Sequence, residues 1–192
     1  PMSDTLHTLT LLDVLQEHRR SHPNRTALVQ EGRRYTYADL EDRVNRLANL
    51  WESLGVGPGE RVLWLGQNSL AVLEGILACS VLGAMFCPLN WRQSPEEIAF
   101  VIDDLQPRVL LWHEGEIGEA VKAARALAQW KQGTWIHFDE AAPDGYEGRL
   151  QTADPARRER AIDVHAGCVI IYTAAFGGRP NGAILSQAGV MA

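Results

Sequence analysis

The chain has 192 residues, 46% hydrophobic and 22% charged, with a formal net charge of −6. That is enough apolar sequence for one domain with a real core and too short a chain for two large ones. A mildly acidic surface argues against general nucleic-acid or anionic-membrane binding.

Positive charge is mostly arginine, because lysine occurs only at Lys122 and Lys131. The run Arg157, Arg158, Glu159, Arg160 has acids on both sides and reads as a solvated loop. Cys79, Cys87 and Cys168 all sit inside apolar runs. An odd number of such thiols suggests reduced, buried cysteines and a cytoplasmic home. His18 and His22 have helical metal-pair spacing, but Pro23 ends the helix and no third ligand is near, so they read as helix-end surface histidines. No charged-then-apolar leader opens the chain, and Pro1 before Met2 looks foreign. The long apolar stretch 69–89 holds Glu74, and a carboxylate in a span costs roughly 2–3 kcal/mol. Gly83 and Pro88 also break it, so it reads as buried core and not as a transmembrane segment.

In chain order, residues 10–20 carry Leu11, Leu12, Val14 and Leu15 and form an amphipathic helix stopped at His22 and Pro23. Residues 27–30 and 34–37 make a hairpin around Glu31 and Gly32. Leu40, Val44, Leu47, Trp51 and Leu54 share one face of a helix over 36–54, which Gly55 stops. A strand at 61–65, a helix at 69–82 and a strand at 84–89 follow. Ser94, Pro95 and Glu97 form a capping box with proline at the first helical position. That helix buries Ile98, Val101, Ile102 and Leu105. A strand at 108–112, an alanine-rich helix at 117–130 and a strand at 134–138 continue the alternation. Strands that are apolar throughout, alternating with helices, mean a mainly parallel, doubly wound α/β sheet with flanking helices. Between 139 and 166 the pattern lapses into what reads as a long surface loop.

Residues 168–172 read as a fully buried strand, followed by a loop over 173–182 rich in glycine. Such a loop lets backbone N–H groups approach an anion. It is neither a Walker loop nor a dinucleotide fingerprint. The segment resembles the phosphate-loop signature of the adenylate-forming enzymes, Tyr-Thr-Ser-Gly-Thr-Thr-Gly-x-Pro-Lys-Gly. Tyr172, Thr173, Gly178, Pro180 and Gly182 match it in register. Ala174, Ala175, Phe176, Gly177 and Asn181 depart from it, which changes hydroxyl and glycine positions and removes the loop lysine. Further blocks occur in the family's order: 34–40, 45–48, 55–62, 83–90, then Arg92, Pro95, Glu96, Glu97 and Asp103.

The chain is identified on these blocks as similar to the amino-terminal part of the large domain of an acyl-CoA synthetase. Residues 1–192 would form the amino-terminal part of an AMP-binding domain ending just after the phosphate loop, with the rest of the large domain and the carboxy-terminal domain absent. The resemblance implies ATP, Mg2+ and coenzyme A as substrates of the complete enzyme, with a fatty or aromatic carboxylic acid and a fatty-acid–CoA ligase as the first expectation. Phosphate binding would fall to Thr173, Ala174, Ala175, Phe176, Gly177, Gly178, Arg179, Asn181 and Gly182. The family's magnesium-binding glutamate, ribose-binding aspartate and catalytic lysine lie further along, so no catalytic or metal residue is assigned.

Alternatives remain at single positions. Thr173 could donate to a phosphate or cap the strand end. Arg179 could replace the missing lysine charge or be solvated, and the glycines could serve turn geometry. A non-catalytic relative with a degenerate loop is the second reading of the whole, and an unrelated nucleotide binder the third. A sheet short of neighbours would expose apolar surface and favour a homo-oligomer.

Overall fold

A computed structural model describes residues 9–173 and 179–191. Helix α1 (Leu11–Ser21) starts on a capping box, the Thr10 hydroxyl accepting the Asp13 amide and the Asp13 carboxylate accepting the Thr10 amide. β1 (Thr26–Gln30) and β2 (Arg33–Thr36) pair antiparallel around Glu31 and Gly32, at φ 51° and 78°. Two successive left-handed residues supply the twist a two-residue hairpin needs, and Gly32 adopts it without a Cβ clash. Helix α2 (Tyr37–Ser53) follows directly, capped by Thr36 and Asp39, and its Leu40, Val44, Leu47 and Trp51 are buried as their spacing requires.

The main sheet has the order β6–β5–β3–β4–β7–β8. β3 (Arg61–Leu65), β4 (Met85–Leu89), β5 (Val109–Trp112), β6 (Thr134–His137) and β7 (Gly167–Tyr172) run parallel. β8 (Gly182–Ser186) pairs antiparallel with β7 at the edge. Helices α3 (Leu70–Leu82), α4 (Pro95–Leu105) and α5 (Glu114–Leu127) connect the successive parallel strands β3 to β6. The strand period of two sorts their side chains to opposite faces. Val62, Trp64, Val109 and Leu111 pack toward α1, α2 and α3, and Leu63, Leu65, Leu110 and Trp112 toward α4 and α5. The chain steps from β3 to β4 and then back past β3 to β5, which with right-handed crossovers puts α3 and α4 on opposite faces. The mainly parallel, doubly wound α/β architecture is therefore the observed one. Among the described residues no helix is long and apolar enough to cross a membrane. The stretch 69–89 is α3 and β4, and Glu74 within it is completely buried beside Arg43 and Tyr146.

Three expectations need correction. Residues 139–166 are not one surface loop: α6 (Tyr146–Thr152) lies inside them, with Tyr146 and Leu150 buried. The rest is tied to α2, since Asn49 Nδ2 donates to the Asp154 and Ala156 carbonyls, each at 2.8 Å. Arg160 in the supposedly solvated basic run reaches Asn49 Oδ1 and Glu52. Second, α5 begins and ends about three residues earlier than 117–130. The Asp139 carboxylate accepts the Glu114 and Gly115 amides and starts the helix there. Asp103 accepts the Gln129 and Trp130 amides and holds them outside it. Third, β7 is buried only in part, because Ile171 is exposed and Tyr172 half-buried.

Candidate functional site

Parallel strands bring their carboxyl ends to one edge of a sheet, and ligands of open α/β sheets bind outside that edge. Leu65 lies beside Leu89 on one side and Trp112 on the other, and Trp112 beside His137, so β3, β4, β5 and β6 end level. β7 runs in the same sense next to β4 and delivers the glycine-rich connection, residues 173–181, to this edge.

The limbs of that connection are clamped to each other. The Thr173 amide donates to the Asn181 carbonyl at 3.0 Å, and the Thr173 hydroxyl donates to the same oxygen at 3.3 Å. Thr173 thus closes the neck of the loop. At the carboxyl end of β7 the Tyr172 hydroxyl donates to Asp104 Oδ2 of α4 at 2.6 Å. Burial pushes the Tyr172 phenol up, and the Asp104 carboxylate adds to it, so this proton stays on the tyrosine. Arg179 is exposed, its guanidinium carbon 5.8 Å from the centroid of the Phe100 ring on α4. Gly182 opens β8 where a Cβ would stand 3.1 Å from Ile170 Cγ2 and 3.3 Å from the Tyr172 ring, so the close approach of the limbs favours glycine. Ala174, Ala175, Phe176, Gly177 and Gly178 lie outside the described residues. A cavity of 240 Å³ beside the hairpin is lined by Arg61, Asp104, Tyr172, Gly182 and Ile184 among others.

Further along the same edge, the loops after β5 and β6 carry a polar group. His113 Nδ1 lies 3.4 Å from Asp139 Oδ2, and His137 Nδ1 lies 3.5 Å from Glu140 Oε2. Burial opposes ionisation of Asp139, but the Gly115 and Glu114 amides outweigh it and hold the carboxyl low. Its work is to cap α5. Lys122 is engaged by Glu114 and Glu119, and Lys131 donates to the Arg125 carbonyl, so both lysines serve α5 and its end.

Sequence reasoning placed the loop but missed its supports. Phe100, Asp104 and the buried Gln187 carry no local signal, because each acts on residues far away in the chain.

A doubly wound sheet with a glycine-rich connection at its carboxyl edge belongs to the open α/β class, whose ligands bind outside that edge. Comparison with known proteins narrows the class. The family model for AMP-binding enzymes matches residues 15–192. Feruloyl-CoA synthase of Amycolatopsis sp. is 36% identical over 88% of this chain and 31% of its own length. Long-chain-fatty-acid CoA ligase of Thermus thermophilus is 35% identical over 82% of this chain and 29% of its own. The fatty acyl CoA synthetase structure from Mycobacterium tuberculosis superposes with a TM-score of 0.80 at 25% identity, over 90% of this chain and 34% of that one. The chain belongs to the AMP-binding enzyme family. It spans about a third of the length of the curated relatives it matches.

Proposed function

We propose that this chain is the phosphate-binding amino-terminal part of an AMP-binding domain in an AMP-forming acid–thiol ligase, an acyl-CoA synthetase. In the reaction, a carboxylate oxygen of the acid attacks the α-phosphorus of ATP and pyrophosphate leaves. The thiolate of coenzyme A then attacks the acyl carbon and AMP leaves. The relatives named above are a feruloyl-CoA synthase and a long-chain-fatty-acid CoA ligase, which supports a fatty or aromatic acid as substrate.

The loop 173–182 would take the β- and γ-phosphates, mainly through backbone N–H groups, with Arg179 the nearest described cation. Thr173 acts at the neck by keeping the limbs together. Positioning and charge stabilisation are what phosphoryl chemistry asks of a protein. Magnesium would arrive on the ATP phosphates. Among the described residues no group of three His, Cys, Asp or Glu side chains is arranged for a metal ion, so no protein ligand for it is assigned. Buried, reduced thiols at Cys79, Cys87 and Cys168 suit a cytoplasmic enzyme.

The observation that carries this reading is the family match across residues 15–192, which runs through the hairpin at the sheet's carboxyl edge. The test is ATP–pyrophosphate exchange by the full protein with a panel of straight-chain and aromatic acids. Exchange with one group of acids supports the ligase and assigns its substrate class. These 192 residues alone should not exchange, because both lysines are engaged on α5 and its end, away from the loop.

A second reading has its own observation: Asn181 stands where the family's loop has lysine, and the hydroxyl positions 174, 176 and 177 are alanine, phenylalanine and glycine. A non-catalytic relative that keeps the fold for binding or assembly would give no exchange with any acid.

A further inference from the structure

Among the described residues, two buried polar side chains pair with each other across 107 residues of chain. Ser80, in the last turn of the apolar helix α3, is 0% exposed, and Gln187, directly after β8, is 2% exposed. The Ser80 hydroxyl donates to Gln187 Oε1 at 2.6 Å, and Gln187 Nε2 donates to the Ser80 carbonyl at 3.1 Å. A buried amide without partners is costly, so this reciprocal pair admits one placement of Gln187.

That placement matters because, among the described residues, β8 has little else to specify its register beyond the close approach at Gly182. Strand register is set where one face is buried, and weakly where both faces are open. Gly182, Ala183, Ile184 and Leu185 are all exposed, and among the described residues β7 is the only strand beside β8. The connection over residues 173–181 is too long for turn type to set the pairing. The ladder is itself irregular: Gly167 lies opposite Ser186 and Val169 opposite Leu185, leaving an extra residue, Cys168, on β7. A slip of one residue would turn every β8 side chain over and carry the Asn181 carbonyl about 3.3 Å along the strand. The clamp between Thr173 and Asn181 would then be lost.

We propose that Gln187 is a positioning residue which, by locking into Ser80 of α3, sets the register of β8 and with it the clamp between Thr173 and Asn181 at the neck of the loop. Its neighbours support the lock. The Ser186 hydroxyl accepts the Gly189 amide, and the Ala188 amide donates to the Val164 carbonyl, so α7 (Gln187–Met191) starts in a fixed place. The register claim rests on geometry alone, and its consequence for ATP rests on the proposed function.

The test uses the full protein with Gln187→Leu, Ser80→Ala and the double substitution. Hydrogen exchange of the β8 amides reads register without needing activity. Gln187→Leu should speed β8 exchange while leaving the β3 and β5 amides unchanged. In pyrophosphate exchange it should raise the KM for MgATP about three- to tenfold, the worth of one or two lost hydrogen bonds, with the KM for the acid unchanged. The double substitution removes both polar groups, so Tm should return toward that of the parent while β8 exchange stays fast and the MgATP KM stays raised. Unchanged β8 protection in Gln187→Leu would overturn the proposal. So would a double variant that regains Tm, β8 protection and MgATP KM together, since that is what packing alone gives. A parent protein without exchange activity would instead count against the ligase reading, and the hydrogen-exchange arm would still decide the register.

Discussion

The Tyr146 hydroxyl donates a 2.6 Å hydrogen bond to Glu74 Oε2 at a point where neither side chain meets solvent. Arg43 pairs with the same carboxylate and extends to Glu147, so α2, α3 and α6 meet in one polar knot under the apolar face of the sheet. Burial pushes the Glu74 carboxyl up, and Arg43 and Tyr146 pull against it. Tyr146→Phe removes one bond to a buried carboxylate and should cost about 1.5–3 kcal/mol. Glu74→Leu leaves Arg43 short of its buried partner and should cost about 3–5 kcal/mol. Glu147→Gln should cost under about 1 kcal/mol, because the Glu147 side chain is 43% exposed. Urea unfolding of the three variants checks this order.

Gly75 should not tolerate a methyl group. A Cβ there would stand 2.1 Å from the Phe86 ring, and Phe86 is fully buried between α3 and its neighbours. Alanine gains up to about 1 kcal/mol over glycine in a helix. Overpacking of about 1–3 kcal/mol should outweigh that gain. A lowered Tm for Gly75→Ala is therefore expected, and a raised Tm would mean that α3 can shift off β4.

Arg179 now rests against Phe100 and would have to turn toward the phosphates to serve them. If it supplies the charge that the loop lysine would bring, Arg179→Ala weakens MgATP binding by about 1.5–3 kcal/mol, the worth of a charge-assisted hydrogen bond. Titration calorimetry on the full protein reads this. An unchanged Kd means that backbone amides carry the phosphates alone, and Asn181→Lys should then be neutral or mildly favourable.

The thiols give a pH dependence with a definite sign. Burial pushes Cys168 up to about 11 and Cys87 up to about 12 from an ordinary value of 9.0. Each thiol is held protonated by the fold, so its contribution is complete below pH 9 and is lost as pH rises through the folded values. Tm measured from pH 8 to 11 should fall above pH 9, and Cys168→Ala should flatten part of that slope. A disulfide-exchange reagent at pH 8 should label the native chain slowly and the urea-unfolded chain at once.

What the amino-acid sequence determined by itself is whatever depends on near neighbours. The capping boxes at Thr36 and Ser94 span three residues, the apolar face of α2 repeats within one helix, and the β-strands of the parallel sheet show as short apolar runs. Near-neighbour chemistry also located the glycine-rich loop after β7, since backbone freedom is a property of single residues. The tertiary structure alone decided how these parts are held. Helix α6 was hidden because two turns rich in charge and glycine have no clear period, and only Glu74, 72 residues earlier, explains why Tyr146 is buried. Tyr172 finds Asp104 across 68 residues, and Gln187 finds Ser80 across 107. No periodicity encodes such pairs. They exist because the packed sheet and helices bring distant polar groups together, and where water cannot reach, as at Glu74 and Ser80, a buried polar group must be met by whichever partner the fold provides.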